Sequence, residues 1–337
     1  MNRFHLPISI SAKLMAAEIA SRELAVSDSR ADRLTMNRYK NLFLATSAFV
    51  CMVALSADAS AQAAPQAEAV SPEITVFASP EDYKTLAGSG SYLSAEDLAK
   101  FEDPDINSML EEIPGLYIQE EDGFGLRPNI GMRAALSDRT AKVTVMEDGI
   151  LIAPAPYAQP SAYYFPRAAR MQGIEVVKGP ASIRFGPYTT GGAINMISTQ
   201  IPTANKGLAK LRVGSDGLAD LHLNYGATVG NWGYLFETTQ EKSDGFKKLP
   251  NGADTGFEIG SFLGKLRYTT DSGNQYFEFK YEYTDEVSDE TYYGLTDADF
   301  AADPFQRYAG TQVDEMDNEH WQTVLTHNYQ FTSGATL

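Results

Sequence analysis

The stretch IEVVKGPASIRFGPYTTGGAINMIS, Ile174 to Ser198, reads as strand, Lys-Gly-Pro turn, short polar segment, glycine pair and strand. Gly186, Gly191 and Gly192 sit close together between two β-rich segments. A glycine-rich turn after a strand can cradle a phosphate, or it can let backbone pass through a narrow space. The phosphate reading fails here. No Gly-Lys-Ser/Thr stands at the required position, and no helical pattern follows the glycines.

Outward from this stretch, the chain is rich in β signals. Of 337 residues, 18 are Tyr, 17 are Phe and 27 are Gly, a composition that favours sheet over helix bundle. A net charge of -17 leaves no basic surface for phosphates, so nucleic acid is not an expected partner. The segment from Met36 to Ala63 has a basic start at Arg38 and Lys40, an apolar core from Leu42 to Leu55 and a small-x-small end at Ala61-Gln62-Ala63. This is the pattern of a secretory signal peptide, and the core is short for a membrane span. Met36 is then the expected start, with residues 1–35 a mis-assigned lead. The one cysteine, Cys51, lies inside the signal. Disulfides, thiol chemistry and a Cys metal site are therefore not expected of the mature chain.

Residues 64–79 read as an Ala/Pro/Gln-rich linker carrying one extended segment, EITVFAS, Glu73 to Ser79. The spacing alone leaves that segment as linker or as a strand offered to a partner's sheet edge. Residues 80–200 read as a small α+β domain. Ser94 and Asp97 form a capping-box pattern before a helix reaching Phe101. A second helix over Ile106 to Ile113 stops at Pro114-Gly115. LYIQEE, AKVTVMEDGI and MQGIEVVKG are short strands.

From residue 201 to 337 the period changes to two. Ala219, Leu221, Leu223 and Tyr225 oppose Asp220, His222 and Asn224. Phe262, Leu266 and Tyr268 oppose Lys265 and Arg267, and Phe277, Phe279, Tyr281 and Tyr283 oppose Glu278, Lys280 and Glu282. Trp321, Leu325, Tyr329 and Phe331 oppose Gln322, Asn328 and Gln330. Turns at 227–231 and 270–274 are short, whereas 243–256 and 287–318 are long. Six strands with one apolar and one polar face fit the front of a membrane barrel, and they also fit a soluble sandwich. The segment 285–319 holds eleven acids against the single Arg307.

The stretches LEEIPGLYIQEE, RPNIGMR, APAPYAQP and the Lys178–Ser198 turn, in this order, resemble the plug domain of TonB-dependent outer-membrane receptors. PNIGMR, APYAQP and GLTDADFAADPFQRY are most similar to the ferric dicitrate branch. The resemblance implies an α+β plug domain followed by an antiparallel transmembrane β-barrel, incomplete here, with about six strands of the ~22 of such transporters. It implies an outer-membrane protein of a Gram-negative bacterium that takes up a ferric siderophore and is not an enzyme. The implied partners are TonB with its ExbB/ExbD-type motor, the siderophore, and membrane lipid with lipopolysaccharide. No permanent cofactor is implied, since iron is carried as a chelate substrate. Glu73, Ile74, Thr75 and Val76 become the TonB box. Arg133, Arg184 and Lys178 become plug–barrel locking residues, Lys178 standing where relatives carry arginine and lacking its bidentate fork. Arg139, Thr140, Tyr157 and Gln159, in the apical loops, become ligand contacts. Competing readings are another carboxylate siderophore or metal chelate as cargo, and a non-transporting truncated or soluble β-rich binding protein. His222, His320 and His327 lack metal-site spacing, and no GxSxG nucleophile motif occurs.

Overall fold

A computed structural model describes residues 88–331, save 102–105, 134, 136–137, 154–160, 187–188 and 292. The signal peptide, the TonB box at Glu73 to Val76, and the ligand candidates Tyr157 and Gln159 lie outside the described residues.

The first layer is a five-stranded mixed sheet. β1 (Ser89–Leu93), β6 (Met171–Lys178), β7 (Gly192–Ser198), β4 (Val143–Glu147) and β5 (Ile150–Leu151) lie in that spatial order. Only β4 and β7 run parallel. The β4–β5 turn is Asp148-Gly149, with φ of 48° and 77°, the mirror-image turn that Asp-Gly favours. A two-stranded ribbon, β2 (Leu116–Gln119) with β3 (Asn129–Met132), stands apart. The expected capping box is present at α1 (Ala95–Phe101). Ser94 N donates to Asp97 Oδ2 at 3.1 Å and Asp97 N donates to Ser94 Oγ at 3.2 Å. The second helix, α2 (Ile106–Glu111), ends two residues earlier than the pattern suggests. Its apolar side (Ile106, Met109, Leu110) joins Ile113, Ile130, Met132, Ile174, Val176, Ile194 and Met196 in the main core.

The glycine pair works as backbone clearance. A Cβ on Gly192, at φ +157°, would sit 2.4 Å from Met132 Sδ and 2.5 Å from Val177 O. One on Gly191 would sit 2.9 Å from Lys142 O. The tight approach is to the small domain's own strands, so the pair lets β6 and β7 close against β3 and β4.

The second layer is a six-stranded antiparallel sheet in sequence order, not closed into a barrel: β8 (Lys206–Val213), β9 (Ala219–Val229), β10 (Trp232–Ser243), β11 (Phe257–Thr269), β12 (Gln275–Ser288) and β13 (Met316–Tyr329). β12 runs four residues further and β13 starts four residues earlier than the alternation suggests. Asp285, Glu286, Asp317 and Glu319 therefore belong to strands, and the loop between them is 289–315. It carries one short helix, α3 (Asp297–Ala302), capped by Thr296. The two faces of the sheet have opposite chemistry. Leu211, Val213, Trp232, Phe279, Trp321 and Leu325 are exposed, while Asp220, His222, Glu237, Glu241, Lys265, Lys280 and Glu282 are buried. No helix among the described residues is long and apolar enough to cross a membrane, which leaves crossing by strands untouched.

Candidate functional site

The buried polar face of the large sheet meets the small domain through three groups of ionic contacts. The first group is set by residues 121–128. The Asp122 carboxylate accepts from the backbone N–H groups of Phe124, Leu126 and Arg127, which curls this loop. Arg127, buried, then pairs with Glu286 on β12 and Glu290 just beyond it, and its Nη2 donates to Ser288 Oγ at 3.2 Å.

The second group is a dense network. Lys280 Nζ lies 2.9 Å from Glu147, 2.7 Å from Asp148 and 2.8 Å from Glu282. Arg170, with no exposed surface, donates to Glu147 at 3.3 Å and to Tyr164 Oη at 3.0 Å, and lies 3.9 Å from Glu282. Tyr164 stacks on His320 of β13 with ring centres 3.7 Å apart. Adjacent plug carboxylates behave oppositely. Burial, then the neighbouring Glu282, pushes Glu147 up to about 7 against Lys280 and Arg170. Burial opposes ionisation of Asp148 as well, but Lys265, Lys280 and Ser198 outweigh it and hold that carboxyl down at about 2.

A third group joins the end of the small domain to β9 and β10, with Glu241 in the same cross-strand row as Glu286. Arg167 grips Glu241 bidentately, Nε to Oε1 at 3.0 Å and Nη2 to Oε2 at 2.6 Å. His222 Nε2 lies 2.8 Å from Glu237 Oε1, which also accepts from Thr199 Oγ1 at 2.9 Å. Thr228 Oγ1 donates to Pro202 O at 2.8 Å where the chain enters β8.

The residues singled out for locking are placed as follows. Lys178 is buried, and its Nζ donates to Pro114 O at 2.6 Å and Ser91 Oγ at 3.3 Å, both within the small domain. Burial and then Arg133 lower its pKa. Arg133 is exposed at φ +48°, and its guanidinium lies over Gly179. Arg184 is exposed, 4.7 Å above the ring of Phe185. Arg127, Arg167, Arg170, Lys265 and Lys280 make ion pairs between the small domain and the large sheet. Their signal in the sequence is weak, because an inward lysine or glutamate on an alternating strand looks the same whether it meets water or a buried partner.

Two ligand candidates are adjacent and backbone-strained. Arg139 (φ +48°) and Thr140 (φ +58°) both take the left-handed conformation that a β-branched residue rarely adopts. Asn129 of the PNIGMR segment accepts from Arg139 N at 2.8 Å, and Ala162 N donates to Arg139 O at 3.0 Å. Thr140 is fully buried, donating to Pro128 O at 2.7 Å and accepting from Ile130 N at 3.2 Å. Its hydroxyl positions the loop from beneath. Arg139 pairs with Glu121 at 2.6 Å and lies 5.9 Å from the Tyr163 ring centre. Among the described residues, no group of three or more His, Cys, Asp or Glu is arranged to hold a metal ion.

Comparison with known proteins bears on this arrangement. Residues 82–193 match the TonB-dependent Receptor Plug Domain family. The vitamin B12 transporter BtuB of Vibrio vulnificus (strain YJ016) is 28% identical over 167 residues, which is 48% of this chain and 27% of that protein. The unliganded crystal structure of the ferric citrate transporter FecA superposes with a TM-score of 0.63 at 24% identity, covering 74% of this chain and 38% of that one. The ferric yersiniabactin uptake receptor FyuA of Yersinia pestis superposes with a TM-score of 0.58 at 19% identity, over 74% of this chain and 39% of that one. The chain thus spans well under half the length of these relatives.

Proposed function

We propose, from the premise that this chain is the plug and first barrel strands of a TonB-dependent receptor of the Gram-negative outer membrane, that the whole receptor takes up a ferric siderophore, most specifically ferric dicitrate. The observation that supports a ligand site on the plug is the strained Arg139–Thr140 step. Strain of this kind persists only where surrounding contacts enforce it, and it concentrates at binding sites. Here Asn129, Pro128 and Ala162 enforce it.

In this reading the chelate binds against Arg139, Tyr157 and Gln159, with Thr140 holding the loop. TonB, driven by its ExbB/ExbD-type motor, pairs with Glu73 to Val76 by strand addition and pulls. The ionic groups between plug and sheet resist until the pull rearranges it. Arg133, Arg184 and Lys178 remain proposed to help hold the plug, Lys178 from within it. Iron is cargo throughout.

The test is uptake of radioactive iron by cells carrying the full receptor. Ferric citrate supplies the label and unlabelled ferric citrate competes. Replacing Ile74 or Val76 with proline should abolish energised uptake and leave binding intact. Unchanged uptake would sink the TonB-box assignment.

A second cargo is favoured by one observation. Arg139 already faces Glu121 at 2.6 Å, which cancels its charge toward an anionic chelate. Of the alternative cargoes, a less anionic metal chelate, such as the class named for the Vibrio relative, fits a less cationic plug apex better than another carboxylate siderophore does. Absence of labelled uptake from ferric citrate would select this reading.

A further inference from the structure

The first group of plug contacts does more than hold the plug. Two barrel loops, 244–256 and 289–315, are joined to each other: Lys248 N donates to Phe305 O at 2.7 Å and Arg307 N donates to Lys248 O at 2.8 Å. Arg307 is pinned in turn by Thr311, whose Oγ1 accepts from its Nε at 3.0 Å. Residues 121–128 of the plug enter the junction between these loops. Phe124 packs edge-on against Phe246 (5.3 Å) and Phe257 (5.0 Å), and Phe246 packs against Phe305 (6.5 Å). Gly123 makes room for this, since a Cβ there would sit 2.8 Å from the Phe246 ring. Beside the aromatic contacts, Arg127 neutralises Glu286 and Glu290, both of which belong to the barrel side.

We propose that plug residues 121–128 are a clamp that holds loops 244–256 and 289–315 in one closed arrangement, through Phe124 and Arg127, and that withdrawing the plug releases those loops. The clamp has a built-in drive. Without Arg127, buried Glu286 and half-buried Glu290 lose the cation they share, and the cost of keeping these carboxyls from water pushes the start of loop 289–315 outward. Phe124 leaves an apolar gap under Phe246 at the same moment. The outer mouth and the plug then share one equilibrium. The clamp itself stands on the contacts above, whereas its release by TonB rests on the transport reading.

Hydrogen exchange of the full receptor in detergent, without ligand or TonB, tests the clamp. The reporters are the Lys248 and Arg307 amides that join the two loops. In Arg127→Met their exchange should accelerate by on the order of tenfold or more, while the plug-core amides of β6 and β7 keep their protection. Phe124→Leu, a milder variant, should accelerate the same amides. Removing the carboxylates as well (Arg127→Met with Glu286→Gln and Glu290→Gln) should restore protection toward wild type, a rescue that mere loss of packing would not give. Unchanged exchange in both Arg127→Met and Phe124→Leu overturns the clamp. Release is read separately, from a nitroxide on Ala301→Cys in α3 in respiring cells that take up the chelate. Its mobility should rise during uptake, and constant mobility overturns the coupling. Absence of any uptake would count against the transport reading, and the exchange result would still decide the clamp.

Discussion

Lys265 and Lys280 are direct cross-strand partners on β11 and β12, both buried, and Asp148 of the plug lies 3.9 Å from one ammonium and 2.7 Å from the other. Like charges opposite each other destabilise a sheet, and Glu282 of β12, 2.8 Å from Lys280, offsets this in part, with Asp148 adding the carboxylate from the plug. Asp148→Asn isolates that charge, because asparagine tolerates the left-handed turn at φ +48° and preserves the β4–β5 hairpin. We expect a loss of about 3–5 kcal/mol in plug–barrel association. Chemical denaturation of the full receptor in detergent, followed by plug and barrel fluorescence separately, should show the plug leaving first. Coincident transitions at the wild-type midpoint would count against it.

Arg167 and Glu241 form the other demanding contact, a two-pronged pair with both side chains almost wholly buried. Arg167→Lys keeps the charge and loses the fork, so it should recover only part of what Arg167→Met loses. Midpoints in the same denaturation experiment should fall in the order wild type, Lys, Met. Equal midpoints for Lys and wild type would mean that charge alone suffices.

Glu290 sets a pH dependence at the outer mouth. Burial pushes its carboxyl up to about 7 from the usual 4.5, and Asp122, Glu286 and Glu121 add to this against Arg127. Lys247 and Arg307 also face it. A pKa raised on folding contributes stability that is complete below about 4.5 and is lost as pH rises through about 7. The loop amides of Lys248 and Arg307 should therefore exchange from a less stable closed state at pH 8 than at pH 6, after correction for intrinsic rates. Glu290→Gln should flatten that difference. A larger difference in the glutamine variant would reverse the sign argued here.

Gly192→Ala asks whether the glycine pair matters for backbone clearance. At φ +157° with Met132 Sδ and Val177 O inside 2.6 Å of the added carbon, about 2–4 kcal/mol of plug stability should go. Gly252→Ala is the control, since its φ is +72° but nothing lies within 4 Å of the added carbon, and about 1 kcal/mol is expected there. Similar losses at both positions would assign the effect to φ and not to crowding.

Asn129→Ala removes the acceptor that holds Arg139 N, and with it the enforcement of the strained step. On the proposed uptake function, chelate binding should weaken at least about tenfold with plug stability changed by about 1–2 kcal/mol. Unaltered binding would separate the strain from the ligand site.

Much of the architecture was legible in local pattern. Ser94 with Asp97 announces a capped helix, and the alternation from residue 206 a sheet with one apolar face; AKVTVMEDGI reads as one strand, whereas the turn at Asp148-Gly149 divides it into β4 and β5. The strand ends were less legible. Glu286 and Glu319 look like loop acids because charge inside a strand has no local signature, and only their partners across the sheet and plug show them paired. The same reason hid the ionic contacts. Arg133 and Arg184 stand out by motif, whereas Arg127, Arg167 and Arg170, which pair with sheet carboxylates, are not marked by motif spacing.

Periodicity, turn chemistry and glycine placement act over a few residues, so the sequence by itself determined which segments are strands, which face of each is apolar and where the backbone must pass without a Cβ. Which buried charge meets which is set by residues some seventy to a hundred and sixty positions apart, such as Arg167 with Glu241 and Arg127 with Glu286. Desolvation makes each of those charges costly until its partner arrives, and only the packing of plug against sheet brings the partners together.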